Sequence, residues 1–136
     1  MNFEKFTIKA QQTVQEAVSG AQRSGQQTIE PVHILRAILV KAQDVAGFLF
    51  QKQGVNPQHI SQVVEIGHLP KVSGGNGQPY LSNDSNQVFS RAEALAQEMG
   101  DEFVSVETLM LALIEVNSTA SRILKDAGLN KQNVLA

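Results

Sequence analysis

Histidines, neighbouring carboxylates and a glycine-rich loop are the features of this chain that could do chemistry, and each falls short of a working spacing. His33, His59 and His68 are potential metal ligands, but none has a histidine four residues away or a carboxylate cluster beside it. A surface or capping role is expected for each. Asp101-Glu102 sets two carboxylates side by side, where a turn implies a solvated loop rather than an acid–base dyad. Ser73-Gly74-Gly75-Asn76-Gly77 has glycines that could let backbone amides approach a phosphate. It lacks the Lys-Ser/Thr pair that opens a helix after a strand, so a linker is expected. No serine lies in a nucleophile elbow. With no cysteine in the chain, disulfides and thiolate metal sites are excluded. The expectation is a chain with no catalytic residue, no metal and no cofactor of its own.

The elements that would position any site come in two similar sets, about 75 residues apart. Thr28-Ile29-Glu30-Pro31-Val32-His33-Ile34-Leu35-Arg36-Ala37-Ile38-Leu39 returns as Phe103-Val104-Ser105-Val106-Glu107-Thr108-Leu109-Met110-Leu111-Ala112-Leu113-Ile114. The same offset pairs Gly25 with Gly100 and Phe6-Thr7 with Leu81-Ser82. After a one-residue slip, Gly54 pairs with Gly128 and Asn56 with Asn130. A repeat this long and present twice is no solenoid. It predicts one domain, residues 1–136, made of two halves (about 6–66 and 81–136) joined by a linker over 67–80.

Within the first half, Ala10, Val14, Ala17, Val18 and Ala21 recur at helical spacing between a Thr7 cap and a Gly25 stop. Glu30-Pro31 opens a second helix, apolar on nearly every face to Val40 and therefore expected to be buried. A third is expected from about Val45 to Gln53, and a fourth from Asn56-Pro57 to near Ile66. The second half repeats the order: Ser82 to Met99, Ser105 and then Val106–Val116, Thr119–Ala127, and a last helix from Asn130 that the chain leaves almost at once. That early end suggests a cut in or just after the last helix. No segment alternates like a half-buried strand. The predicted architecture is all-α: two tandem, pseudo-twofold four-helix repeats packed face to face.

Net charge is −2 and the basic residues are scattered, which argues against a nucleic-acid surface. A helix-turn-helix would need base-reading side chains on its second helix, and here that helix is apolar apart from Arg36 and His33. The first residues lack the apolar stretch of a signal peptide, and no apolar run nears the roughly 20 residues that span a bilayer. A cytoplasmic setting without membrane or nucleic-acid partners is expected.

Read together, the two halves resemble the N-terminal domain of the Clp family of AAA+ chaperones. The carriers are Phe6-Thr7 with Lys9-Ala10-Gln11, Ile29 to Leu35 with Ala37-Ile38-Leu39, and Gly100 to Glu107 leading into Leu109–Ile114. Leu69-Pro70-Lys71-Val72-Ser73-Gly74 looks like ClpB, the disaggregating branch, more than ClpA or ClpC. The resemblance implies a head domain, monomeric as a fragment, on a hexameric motor whose ATP and Mg sites lie beyond Ala136. It implies capture of unfolded or aggregated polypeptide, in concert with the DnaK chaperone system, and places substrate-binding residues on Thr7, Asp101 and Glu107. The alternative is an adaptor-docking head of the ClpC or ClpA type, or a free-standing interaction domain. The Glu-His pair frequent at the start of each buried helix is split here, as Val32-His33 and Glu107-Thr108, and Ile8 stands where an acid is common.

Those positions also have a local explanation, since Thr7 and Glu107 fall at predicted helix starts where a cap or a negative charge stabilises. Asp101, in a loop, is freer to face a partner. The apolar part of a site would come from Phe89, at the edge of the Val88–Met99 stripe, facing Ile8, Thr13 and Val14 of the matching helix. The same stripe fits Phe89 as plain core.

Overall fold

Each half begins with a long helix started by a hydroxyl and ended by a glycine. In the computed structural model, which describes residues 3–64 and 79–129, Thr7 Oγ1 accepts from the Ala10 amide at 3.1 Å to start α1 (Ile8–Arg23). Ser82 Oγ accepts from the Ser85 amide, also at 3.1 Å, to start α5 (Asn83–Glu98). Gly25 and Gly100 end them at φ of 70° and 76°, a conformation glycine adopts without a Cβ clash. The amides of Gln26 and Asp101 then return to the Ala21 and Ala96 carbonyls, both at 2.8 Å.

The next helices, α2 (Pro31–Lys41) and α6 (Val106–Glu115), are apolar nearly all round and buried along most of their length. α1 packs on α2 and α5 on α6, while α2 and α6 meet between the halves. Two shorter helices, α3 (Gln43–Lys52) and α4 (Pro57–Val63), complete the first half, and α7 (Thr119–Asp126) follows α6 in the second. α3 begins two residues before the expected start. Ala42 ends α2 through its amide on Ile38 and at once starts α3 through its carbonyl, 2.9 Å from the Ala46 amide. A backbone junction of this kind leaves no polar cap in the sequence. The expected helix at Asn130, residues 65–66 of the expected fourth helix and the linker over 67–78 lie outside the described residues.

Although the fold is all-α, two very short parallel pairings cross between the halves. β1 (Thr28–Ile29) pairs with β2 (Tyr80–Leu81), which makes Tyr80 the start of a strand rather than the end of a linker. Phe6 bridges Val104, again parallel. Adding the repeat offset to one bridge produces the other: Phe6 becomes Leu81, and Val104 answers to Ile29. The hydrogen bonds follow, with the Thr7 amide on the Val104 carbonyl at 2.9 Å and the Ser82 amide on Ile29 at 3.2 Å. This exchange is the pseudo-twofold relation in backbone form. Two-residue strands show no alternation in a sequence; they form because backbone groups entering a core must find partners.

One continuous apolar cluster includes residues of both halves. Phe89 lies edge-on to Phe3 with ring centroids 5.3 Å apart, Phe3 edge-on to Phe6 at 5.0 Å, and Phe6 tilted on Phe89 at 5.9 Å. On the surface the twofold relation inverts charge. Glu16–Arg23 pairs along α1 at 3.0 Å, and Arg91–Glu98 takes the same positions along α5 at 3.3 Å with the signs exchanged. Arg91 also reaches Glu115 on α6, where the first half has the exposed Val40.

Candidate functional site

The Phe6–Val104 bridge sets the start of α1 beside the start of α6 and brings three of the expected site residues into one neighbourhood. Thr7 is half-buried, its hydroxyl committed to the cap of α1 and its amide to Val104. Asp101 is exposed and shares a shallow depression with Lys5, Glu93, Gln97, Glu102 and Val104. Glu107 is exposed in the first turn of α6, whose cap is Ser105 Oγ, accepting from the Thr108 amide at 3.2 Å. The role of Glu107 in stability is therefore its charge against the positive end of the helix rather than the cap itself.

Asp101 has the opposite relation to its helix. It follows the negative end of α5, whose last turn holds Glu98 and no basic residue. A carboxylate there is disfavoured by the helix dipole, by roughly 0.3–1 kcal/mol.

The apolar side of the expected site is different in the structure. Phe89 is fully buried, and Thr13 and Val14 are buried with it, so these three do not line an open groove. The α1 and α5 stripes are taken up by the core: Phe89 wedges against Phe3 and Phe6, and Thr13 Oγ1 donates to the Lys9 carbonyl at 2.8 Å within its own helix. Ile8 alone of that set is open, at 75% exposure. It is joined near the bridge by Phe103, 46% exposed, which is not among the site residues singled out from the sequence. Its signal was a large apolar residue in the short loop between the Gly100 stop and the Ser105 cap, where burial is not required of it.

His33 is buried at the start of α2, and its Nδ1 accepts from the Glu30 amide at 2.8 Å, a capping role. Nε2 must then carry the proton, and it has no hydrogen-bond partner among the described residues. Burial holds the imidazole below its ordinary pKa; the Glu30 carboxylate opposes this shift and Arg36 adds to it. His59 is exposed and His68 lies outside the described residues. Among the described residues, no group of three or more His, Asp or Glu is placed to hold a metal ion, and no helix is long and apolar enough to cross a membrane.

Residues 5–127 match the family described as the Clp repeat (R) N-terminal domain. The chain is 52% identical to Chaperone protein ClpB of Bacteroides thetaiotaomicron, over 98% of its own length and 16% of that protein. To Chaperone protein ClpB of Porphyromonas gingivalis it is 44% identical, over 97% and 15% respectively. It thus spans about a sixth of these curated relatives. In fold it is similar to the Hsp104 N-terminal domain of Candida albicans, with a TM-score of 0.85 at 21% identity, covering 96% of this chain and 87% of that one. The N-terminal domain of ClpD from Arabidopsis thaliana gives 0.75 at 22%, covering 99% and 95%.

Proposed function

We propose, from the premise that this chain belongs to the Clp repeat N-terminal domain family and matches the N-terminal domain of ClpB chaperones, that it captures exposed segments of unfolded or aggregated polypeptide. The observation that carries the reading is the open surface around the Phe6–Val104 bridge. It combines exposed Ile8 and Phe103 with the carboxylates Asp101, Glu102 and Glu107. A folded protein hides its apolar side chains, so a surface that offers apolar area beside fixed charge selects chains that have lost their fold. Affinity is modest, because the client gives up conformational freedom when held. Weak capture suits a domain that must hand its client on.

In the complete protein the client passes to AAA+ modules that bind ATP and Mg, arranged as a cytoplasmic hexamer and working with the DnaK system. The present chain binds and releases without catalysis, as one domain of two repeats joined by the 67–80 segment. Amide chemical-shift mapping with reduced, carbamidomethylated ribonuclease A, a permanently unfolded chain, tests the reading. Shifts grouped around Ile8, Asp101, Phe103 and Glu107 are expected. No shifts at all, or shifts confined to α3 and α4, overturn it.

A further inference from the structure

We infer that only one of the two twofold-related seams takes polypeptide, and that the segment it takes sets an apolar side chain beside a lysine or arginine. The inference rests on the client-binding reading above and assigns that site its number and its ligand chemistry.

The pseudo-twofold relation supplies two candidate seams. One surrounds the Phe6–Val104 bridge; the other surrounds Ile29–Leu81, where Glu30 and Ser82 open α2 and α5. Were the halves alike, both would bind. Position by position they are not. Ile8, 75% exposed, answers to Asn83, and Phe103, 46% exposed, answers to Thr28. Asp101 answers to Gln26 and Glu107 to Val32, and both of those are buried. At these four positions the second seam thus has neither the exposed apolar pair nor the acids; its own exposed aromatic is Tyr80, 57% exposed, and of its carboxylates Asp84 is exposed while Glu30 accepts from Thr28 Oγ1 at 3.2 Å. Its own chain also borders it, since Ser118 and Thr119 at the start of α7 share a small depression with Glu30, Pro31, Val32 and Asp84.

Charge chooses the occupant of the open seam. Residues 79–129 carry eight carboxylates against three cationic side chains, while residues 3–64 carry four against six. Asp101, Glu102 and Glu107 are exposed, and none has an ion-pair partner among the described residues. Acids left unpaired around exposed apolar side chains complement a segment that is both apolar and cationic. They repel an apolar segment flanked by acids, which gives discrimination as well as attraction.

The test uses two synthetic decapeptides, each with one phenylalanine, flanked by arginines in one and by glutamates in the other. Calorimetry and amide shift mapping of this chain should give one site for the arginine peptide, with shifts around Ile8 and Phe103, and far weaker binding of the glutamate peptide. The Asp101→Asn, Glu107→Gln double variant should bind the arginine peptide roughly fivefold more weakly, the scale of two exposed ion pairs. Asp84→Asn, at the second seam, should leave affinity unchanged. Two equivalent sites, equal affinity for both peptides, or loss of binding in Asp84→Asn would overturn the inference. Unfolded ribonuclease A separates its failure from failure of the parent reading. If the ribonuclease binds around the bridge while the peptides show any of those results, client capture stands and the single cationic-segment site falls.

Discussion

At the scale of single residues, burial separates those that hold the fold from those free to act. Phe89, enclosed by Phe3 and Phe6, is expected to cost roughly 3–5 kcal/mol when truncated to alanine, from lost transfer energy and the cavity left behind. Urea melts of Phe89→Ala check this, and client affinity corrected for the unfolded fraction should not change. Asp101→Asn should behave in the reverse way. It removes a charge from the unfavourable end of α5, so its melting temperature should hold or rise slightly while client binding weakens. A clear loss of stability in that variant would mean that Asp101 serves the fold. His33 gives a dependence on pH. Its folded pKa lies below the ordinary 6.5, so the unfolded chain takes up a proton first as pH falls. The contribution of neutral His33 is whole above about 6.5 and is lost downward through the folded value. His33→Gln keeps a side chain suited to a capping box without titrating. Its urea stability, compared with the parent at pH 8 and pH 5, should show a shallower acid loss.

At the scale of elements, matching helices begin in the same way yet are supported differently. Ser82 Oγ donates to Ser85 Oγ at 3.2 Å, and Ser85 Oγ donates to the Ile29 carbonyl at 2.5 Å, which ties α5 to the first half. The position equivalent to Ser85 in α1 is Ala10, also fully buried. Alanine therefore fits this setting, and Ser85→Ala should lose about 1 kcal/mol, the net value of one hydrogen bond. Thermal denaturation measures it; a loss several times larger would reveal repacking between α5 and α2. Thr7→Ala removes the α1 cap and is expected to cost about 1 kcal/mol, so any fall in its client affinity must be read after that loss.

At the scale of the whole molecule, the exchanged bridges and the shared apolar cluster bind the fate of one half to the other. Each half completes its backbone pairing only with the other, so urea unfolding should be a single transition despite the repeat. Tyr80, the one tyrosine in a chain without tryptophan, sits in β2 between the halves and reports on their separation. Its fluorescence and the helical circular dichroism should give coincident midpoints. Two separated midpoints would show halves that unfold independently.

The helices were legible in the sequence because their determinants are local. Thr7, Ser82 and Ser105 cap, Gly25 and Gly100 stop, and the apolar spacing between them marks the buried faces. The repeat offset likewise foretold a pseudo-twofold arrangement. Which apolar residue stays open could not be read in this way, because Phe89 and Ile8 both sit at the edge of an amphipathic pattern. Only the packing of one half against the other closes over Phe89 and leaves Ile8 and Phe103 outside. The same holds for the two bridges, too short to leave a period in the sequence and formed between residues far apart in the chain. Local chemistry determined where each helix starts and stops. The difference between an open seam and a closed one came from contacts between halves, a property no stretch of sequence holds alone.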